Sequence, residues 1–311
     1  MPDTTIIAHI SDPHLTPPAG LRLRHLNVKR TLGLLNWHKS RKQVHRFEIV
    51  ERLVADMRTV HLHHIAVTGD LCNIGLPGEY QAARTWLDGI GSPQSVSVVP
   101  GNHDIYTRMP RHPGVELWRD YMCSDDFGVG IVGAGGSARG FPYVRRSGCV
   151  ALIGLNSAVE TRPFVAAGRV GEDQLAALDR VLAELSGSDV ARVVLIHHPP
   201  LPGQAPKLRA LRDAGALQDV LQRRGAELVL HGHNHRDTLV WCEGPKGALP
   251  VVGISSGSAG RHHKDEPLAR YNLVRVRPGD DSWVIEVTGR GLRSADGAIV
   301  ELDRHVLKVM R

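Results

Sequence analysis

The chain of 311 residues has few cysteines and lacks any long apolar run. Its four cysteines include no Cys-x-x-Cys pair, which indicates reduced thiols rather than a disulfide framework. No apolar stretch approaches the ~20 residues that a membrane-spanning helix needs. The first polar motif follows the N-terminus so closely that no room is left for a secretory signal peptide. We therefore expect a cytoplasmic protein.

Acidic residues are missing between Asp12 and Glu48, although this interval holds eight lysines and arginines. Because the whole chain carries a net charge of +6, the remainder carries −2 and is nearly neutral. The positive charge is thus concentrated in one segment, residues 20–47, which we call the basic arm. Apolar residues interleave with its cations, and Val28, Leu32 and Leu35 fall on one helical face.

Three interpretations of the basic arm remain open. It could rest on anionic lipid headgroups, with peripheral attachment at the inner membrane surface. It could instead hold a nucleic-acid backbone, in which case activity would fall steeply with salt. In the third interpretation its leucine face packs on the body and its charges are only solvated.

Apolar runs that alternate with helical periodicity predict a layered α/β fold. The predicted strands are residues 4–10, 64–68, 95–99, 150–155, 192–196, 227–230, 251–255, 271–276 and 283–288, and the predicted helices are 47–60, 79–87, 172–185 and 208–223. Strands without helices between them in the last third predict a second, mixed or antiparallel sheet there. The glycine-rich residues 127–146 are expected to form a loop or hairpin. No domain boundary is visible, so residues 1–311 are predicted to form one domain with the basic arm inserted.

Five short motifs rich in Asp, Asn and His each follow an apolar run. They are Asp12-Pro13-His14, Gly69-Asp70, Gly101-Asn102-His103-Asp104, His197-His198-Pro199-Pro200 and His231-Gly232-His233-Asn234-His235. An apolar run before a polar cluster is typical of a buried strand that delivers side chains at its C-terminal end. In α/β sheets, sites form in the crevice beyond those ends. The sequence therefore predicts a metal centre.

The order and spacing of these motifs resemble the calcineurin-like metallophosphoesterase superfamily over residues 12–235. The segments Gly-Asp-Leu-Cys-Asn and His-His-Pro-Pro look most like the branch that contains bacterial cyclic-nucleotide and glycerophosphodiester phosphodiesterases. The resemblance implies a four-layer α/β/β/α sandwich of two mixed sheets with flanking helices. It also implies a metal-dependent phosphoester hydrolase, with phosphodiesters as the leading substrate class.

The resemblance further implies a binuclear site for two divalent ions. The implied ligands of the first ion are Asp12, His14, Asp70 and His235, and those of the second are Asn102, His197 and His233, with Asp70 bridging. The family ligand lies two residues before a proline, which selects His197 and leaves His198 as the alternative. Purple acid phosphatases carry a tyrosine ligand where this chain has Asn73. Oxygen and imidazole ligands without thiolates fit Mn, Fe, Co, Ni or Zn.

The implied mechanism is in-line attack by metal-bound hydroxide on a phosphate held by both ions. His103 would assist departure of the leaving group, and Asp104 would orient its ring. The partner would be a small phosphodiester or a lipid headgroup, with nucleic acid as a further alternative. A phospholipid or lipid-precursor phosphodiesterase, phospholipase-C-like and acting at a membrane surface, is the alternative activity. The alternative outside the enzymes is a non-catalytic scaffold protein of the same fold.

Overall fold

The computed structural model describes residues 4–15, 18, 20–108, 112–133 and 140–311. Twelve strands in this described part form two six-stranded sheets. The strands are β1 (Thr5–Ile10), β2 (His64–Val67), β3 (Val96–Val98), β4 (Tyr143–Ser147), β5 (Val150–Gly154), β6 (Ala191–Leu195), β7 (Leu228–His231), β8 (Thr238–Cys242), β9 (Leu249–Gly253), β10 (Arg270–Pro278), β11 (Ser282–Leu292) and β12 (Ile299–Met310).

Helices lie between most of the parallel strands. The α-helices are α1 (Val28–Asn36), α2 (Lys42–Val44), α3 (Phe47–Met57), α4 (Pro77–Ile90), α5 (Asp126–Val132), α6 (Glu172–Glu184) and α7 (Ala214–Arg224). A π-helical turn, Trp37–Arg41, joins α1 to α2, and Leu23–His25 and Gly114–Tyr121 are 3₁₀-helical. Among the described residues, no helix is both long enough and apolar enough to cross a membrane.

Both sheets are mixed. The first has the order β12-β11-β10-β1-β2-β3, in which β1, β2 and β3 are parallel and β10 to β12 are antiparallel. The second has the order β4-β5-β6-β7-β9-β8, in which β5, β6, β7 and β9 are parallel and the two edge strands are antiparallel. The parallel strands that carry the motifs are therefore neighbours in each sheet.

Two buried clusters make the layers. The larger joins side chains of both sheets with helices α3 and α4, for example Leu273, Leu195 and Leu53. The smaller lies between the other face of the second sheet and helices α6 and α7, and includes Val194 and Leu178. Fully burying each such side chain contributes about 1.5–3 kcal/mol. The predicted four-layer α/β/β/α sandwich is confirmed.

The prediction that the last third forms its own sheet is wrong. Strands β10 to β12 extend the first sheet, because β10 pairs antiparallel with β1 through Leu273 opposite Ala8. Strands β8 and β9 join the second sheet instead. A hydrophobic pattern identifies a strand but not its partner, which depends on which sheet edge is free. Strand β10 is buried along most of its length, as a strand inside a sheet must be.

The prediction that residues 1–311 form one domain stays a prediction. It is supported by the first sheet, because strands from both ends of the chain share it.

The sequence predicted that residues 127–146 form a loop or hairpin, but the structure has more regular elements there. These residues include most of helix α5, whose N-cap Asp125 accepts a hydrogen bond from Gly128 N at 2.8 Å. They also include the start of β4, where Tyr143 and Val144 are fully buried. Residues 134–139 lie outside the described residues. High glycine content hid a capped helix and a short edge strand from the sequence pattern.

Helix α7 begins at Ala214, six residues later than predicted. Residues 208–212 form backbone hydrogen bonds with residues 166–168 instead, including Ala166 N to Leu208 O at 2.9 Å and Arg212 N to Gly168 O at 3.0 Å. These long-range bonds satisfy the backbone N–H and C=O groups in a nonhelical conformation. Helical periodicity alone therefore placed the start of α7 too early.

The basic arm packs on the body with two of its cationic side chains, and not with the leucine face of the third interpretation. Its buried residues in helix α1 are Lys29 and Arg30, whereas Val28 and Leu35 are 71% and 61% exposed. The Lys29 ammonium donates to Tyr106 O and Thr161 Oγ1, both at 2.9 Å. Burial lowers the pKa of Lys29 to about 8. The idea that a leucine face packs on the body is therefore wrong.

Carbonyl acceptors explain this inversion. The Arg30 guanidinium donates to the carbonyl oxygens of His25, Ile74, Gly75 and Thr107 at 3.0–3.3 Å. A guanidinium has five donors in a fixed fork, so a ring of loop carbonyls satisfies it when buried. Three of the four acceptors, those of Ile74, Gly75 and Thr107, belong to turns distant in sequence, which no local pattern reveals.

Candidate metal centre

The five motifs lie at the C-terminal ends of strands β1, β2, β3, β6 and β7. The first three strands are adjacent in the first sheet and the last two are adjacent in the second. Parallel neighbours end at the same edge of a sheet, so each sheet presents its motifs together. The two edges meet where His233 N donates to Asp12 Oδ2 at 3.0 Å and His197 Nδ1 donates to Thr68 O at 2.7 Å.

Backbone conformation at these motifs is unusual. Of the seven non-glycine residues with positive φ among the described residues, five are predicted metal ligands: Asp12 (51°), His14 (39°), Asp70 (57°), His233 (69°) and His235 (52°). The left-handed region costs an L-residue of order 1 kcal/mol or more. Such strain persists where the fold over-determines it, and it gathers at functional sites.

One group of donor atoms surrounds His197 Nε2. This nitrogen lies 3.3 Å from Asn102 Oδ1, 3.2 Å from His233 Nδ1 and 3.5 Å from Asp70 Oδ2. Ligand atoms that bind one ion at about 2.1 Å lie about 3.0–3.4 Å from each other. All four residues are buried. The spacing and chemistry of this group therefore fit one divalent cation.

A second group consists of Asp12, His14 and His235, whose ligand atoms all lie within 4.8 Å of one another. His235 Nε2 is 3.2 Å from Asp12 Oδ1. Asp12 also forms a group at this spacing with Asp70 and His197, so the two carboxylates connect the two clusters. All seven predicted ligands thus converge, and the donor set fits two neighbouring divalent ions.

Backbone carbonyl acceptors fix which ring nitrogen of three ligand histidines faces the site. His197 Nδ1 bonds Thr68 O at 2.7 Å, His14 Nδ1 bonds Cys72 O at 2.9 Å and His233 Nε2 bonds Arg209 O at 2.9 Å. A nitrogen that donates to a carbonyl carries the proton, so the opposite nitrogen keeps its lone pair for a metal.

His235 has a carboxylate partner that sequence reasoning missed. Its Nδ1 lies 3.1 Å from Glu266 Oε2. Glu266 follows the motifs by some thirty residues and is part of no recognisable pattern, so only the fold brings it here. A carboxylate behind a ligating histidine orients the ring and increases its basicity.

His198 is placed differently from His197. Its Nδ1 is 2.8 Å from Ser157 Oγ and its Nε2 is 3.1 Å from Ala166 O. Both ring nitrogens therefore have protein partners, although the ring lies beside His197 and His233. His197 Nε2 lies within 3.5 Å of donor atoms of Asn102, His233 and Asp70, whereas a ring nitrogen of His198 lies within 4.8 Å of ligand atoms of His197 and His233.

Asp104 does not orient the His103 ring, contrary to the prediction. His103 Nδ1 donates to Asn73 O instead. The Asp104 carboxylate accepts hydrogen bonds from the backbone N–H groups of Asp70, Cys72 and Gly101 at 2.8–2.9 Å. It therefore ties the loop after β2 to the loop after β3, and its role is positional.

The buried carboxylates of the site favour positive charge beside them. Burial opposes ionisation of Asp70, yet His197 and His103 hold its pKa well below the usual range. Burial would lower the pKa of His197, but Asp70 raises it to about 9. Likewise, Asp12 and Glu266 outweigh burial and raise the pKa of His235 to about 9. A site that draws protons onto two buried imidazoles also favours divalent cations.

Arg41 of the basic arm enters this site, a contact with two particular histidines that no sequence motif indicates. Its guanidinium donates to His14 Nε2 and to His103 Nε2, both at 2.8 Å. A cavity of about 650 Å³ opens beside His14 and is lined mainly by arm residues, among them Trp37, Lys42, His45 and Phe47. The arm is therefore a wall of the site.

The calcineurin-like phosphoesterase family model matches residues 5–237. The chain therefore belongs to the calcineurin-like phosphoesterase family, a class of metal-dependent phosphoester hydrolases. The predicted family is confirmed. Strands β8 to β12 all lie beyond the matched residues, yet they complete both sheets.

Two curated proteins illustrate the branch to which the chain is similar. It is 27% identical over 222 residues to a probable cyclic nucleotide phosphodiesterase of Synechococcus sp., covering 70% of this chain and 73% of that protein. It is 28% identical over 178 residues to the glycerophosphodiester phosphodiesterase GpdQ of Enterobacter lignolyticus, covering 56% of each.

Solved structures share the fold. A dimetal phosphatase from Danio rerio aligns over 98% of this chain and 99% of its own, with a TM-score of 0.57 and 13% identity. The purple acid phosphatase PPD1 from yellow lupin aligns over 99% of this chain and 54% of its own, with a TM-score of 0.55 and 13% identity. At this identity the likeness extends to the fold alone.

Proposed function

We propose that this protein hydrolyses phosphodiesters with two divalent metal ions. The observation that supports this most is the convergence of seven oxygen and imidazole donors into two groups that share carboxylates. Asp12, His14 and His235 would hold one ion, Asn102, His197 and His233 the other, and Asp70 both. Ions bound there would hold the phosphate oxygens and activate a water molecule as the nucleophile.

The choice of phosphodiesters rests on the relatives. Both curated relatives are named as phosphodiesterases, one for cyclic nucleotides and one for glycerophosphodiesters. We propose that the substrate is a small phosphodiester and that the protein acts in the cytoplasm.

His103 is the proposed proton carrier. Its Nδ1–H is held by Asn73 O and its backbone N–H donates to Asp70 Oδ1 at 2.7 Å, which fixes the ring beside the ligands. Burial and Arg41 lower the pKa of His103 to about 3, so Nε2 presents a lone pair rather than a proton. A bound phosphodiester would bring negative charge that favours the uptake of a proton from water at Nε2. That proton would then pass to the leaving oxygen.

An activity screen with matched variants tests the proposal. The Mn-loaded protein would be assayed with bis(p-nitrophenyl) phosphate, a cyclic nucleotide and a glycerophosphodiester, with metal content measured by elemental analysis. We expect turnover that is lost in His235→Asn and kept in His305→Asn, because His305 lies on exposed strand β12. A protein that binds two ions per chain and hydrolyses none of the three diesters would refute it.

A lipid substrate is the second candidate, favoured by the outer face of the basic arm. This face consists of the exposed residues Arg22, Leu23, Arg24, Val28 and Leu35, and Leu23 is 88% exposed. Exposed leucines among arginines are suited to the boundary between anionic headgroups and acyl chains. We propose peripheral contact with the inner membrane surface through this face, with a lipid phosphodiester or lipid precursor reaching the metals.

Vesicle binding separates the two candidates. Each apolar side chain transferred into lipid would contribute about tenfold in affinity. We therefore expect Leu23→Ser and Val28→Ser to lower sedimentation with phosphatidylglycerol vesicles by about that factor each. Val306→Ser, on the exposed face of β12, serves as the control. Equal sedimentation of all variants, or no hydrolysis of vesicle phospholipid, would leave the small phosphodiester as the proposal.

A further inference from the structure

We infer that Arg41 is a substrate-binding residue, whose guanidinium holds a phosphate oxygen of the diester beside His103. This inference rests on the proposed function and adds to it a cation that comes from the basic arm rather than from the five motifs. The guanidinium lies between a predicted metal ligand, His14, and the proposed proton carrier, at 2.8 Å from each Nε2.

Arg41 is held firmly from both sides of its turn. Upstream, Lys29 and Arg30 fasten helix α1 to the loops near Tyr106 and Gly75. Downstream, Gly260 N donates to Val44 O at 2.8 Å and Arg46 N donates to Ser258 O at 2.9 Å. A side chain carried by a segment anchored at both ends loses little further entropy when it binds a ligand.

The π-helical turn accounts for the direction of the side chain. Five residues, Trp37–Arg41, adopt this wide turn between α1 and α2. One additional residue in a turn rotates all later side chains by about 100° relative to a continuous α-helix. Single π-helical turns are uncommon and occur frequently at functional sites. Here the turn coincides with the one arm residue that contacts both imidazoles.

The lone pair on His14 cannot serve two partners. His14 Nδ1 bonds Cys72 O, so only Nε2 can accept from Arg41 or ligate a metal. When that lone pair ligates an ion, an N–H of Arg41 loses its acceptor inside the site. A guanidinium with a free N–H pair in this position matches the two oxygens of a phosphate group.

The cavity beside His14 lies between a predicted ligand and the basic arm. It has a volume of about 650 Å³ and is lined by Trp37, the first residue of the π-helical turn, and by Lys42, which follows Arg41 in the sequence. A phosphate at the ligands would therefore have the guanidinium on one side and room for an organic substituent on the arm side. Arg41 thereby links phosphate binding to the pocket that the arm forms.

Phosphate affinity measured together with turnover tests the inference. Arg41→Met and Arg41→Lys would be compared with Lys39→Met, which removes the same charge from an exposed position in the same turn. Each Mn-loaded variant would be titrated with inorganic phosphate in a calorimeter and assayed with bis(p-nitrophenyl) phosphate. We expect Arg41→Met to weaken phosphate binding and kcat/KM by about 10- to 100-fold, and Arg41→Lys to do so less.

The outcomes distinguish the inference from the proposed function. If wild type turns over and Arg41→Met binds phosphate as Lys39→Met does, the inference is wrong and the proposed function stands. If wild type hydrolyses no diester, the proposed function fails, and the inferred role in substrate binding fails with it. If Arg41→Met loses manganese while phosphate affinity per loaded site is unchanged, Arg41 positions His14 and the inference is overturned. Arg41→Lys gives the same readouts if Arg41→Met does not fold.

Discussion

Replacing Asp104 by asparagine tests whether one buried carboxylate holds two ligand-bearing loops together. Its Oδ2 accepts from Asp70 N at 2.8 Å and Gly101 N at 2.9 Å, and its Oδ1 accepts from Cys72 N at 2.9 Å. An amide has one oxygen, so at least one of these N–H groups would face an NH₂ group. A lost hydrogen bond to a charged group costs about 1.5–3 kcal/mol, and an unsatisfied buried donor about 1–3 kcal/mol.

Loss of the buried charge offsets part of this penalty. Burial and the Asp70 carboxylate raise the pKa of Asp104 to about 7, which shows that the ionised form is costly at this position. We therefore expect Asp104→Asn to lower the free energy of unfolding by about 2–4 kcal/mol. Manganese affinity should fall about tenfold, because the loops carrying Asp70 and Asn102 loosen.

Urea unfolding in EDTA and calorimetric titration with manganese measure the two effects separately. Asp189→Asn is the control, since Asp189 forms only an exposed ion pair with Arg146 at 3.3 Å. Removing such a pair costs about 0–1 kcal/mol. If Asp104→Asn matched this control in stability and bound manganese as wild type does, the carboxylate would not be what holds the loops.

Three further changes test other contacts. Glu227→Ala should lower the free energy of unfolding by about 3–5 kcal/mol in urea, because it leaves Arg192 buried without the carboxylate 2.7 Å away. Glu266→Gln should weaken manganese binding about tenfold by calorimetry, because His235 loses its charged partner. Gly33→Ala should destabilise the arm by about 1–3 kcal/mol in thermal unfolding and weaken phosphate binding, since its Cβ would meet Tyr106 Oη at 2.5 Å.

Each of these changes has an outcome that contradicts its reasoning. A Glu227→Ala protein as stable as wild type would mean that Arg192 reaches water. For Glu266→Gln, the exposed neighbour Asp265 provides the control Asp265→Asn, and equal metal affinity of the two variants would remove Glu266 from the site. Alanine is favoured over glycine inside a helix by about 1 kcal/mol, so a more stable Gly33→Ala would show that the arm adapts without strain.

Local sequence patterns predicted the positions of the strands, which depend on the residues within each segment. The strands before Asp12, Asp70 and His197 were predicted to within a residue or two, because apolar runs bounded by polar clusters are strong signals. Strand partners were not predictable, because pairing depends on distant edges. The buried Lys29 and Arg30 reversed the expected amphipathic face, because most of their carbonyl acceptors come from loops more than forty residues away.

The candidate site likewise has residues that the sequence predicted and residues that it did not. The ligand types and their order were readable because each motif follows its own strand. Glu266 and Arg41 were not, since each reaches the site through tertiary packing and belongs to no motif. Asp104 was assigned the wrong partner because a carboxylate next to a histidine in sequence need not lie next to its ring. Its three backbone donors became visible only in the folded loops.

Anomalous diffraction from crystals grown with manganese tests the central claim most directly. We predict two peaks per chain about 3.5–4 Å apart, one contacting Asp12, His14 and His235 and the other contacting Asn102 and the neighbouring imidazoles. A single peak, or peaks bound by residues outside this group, would contradict the account.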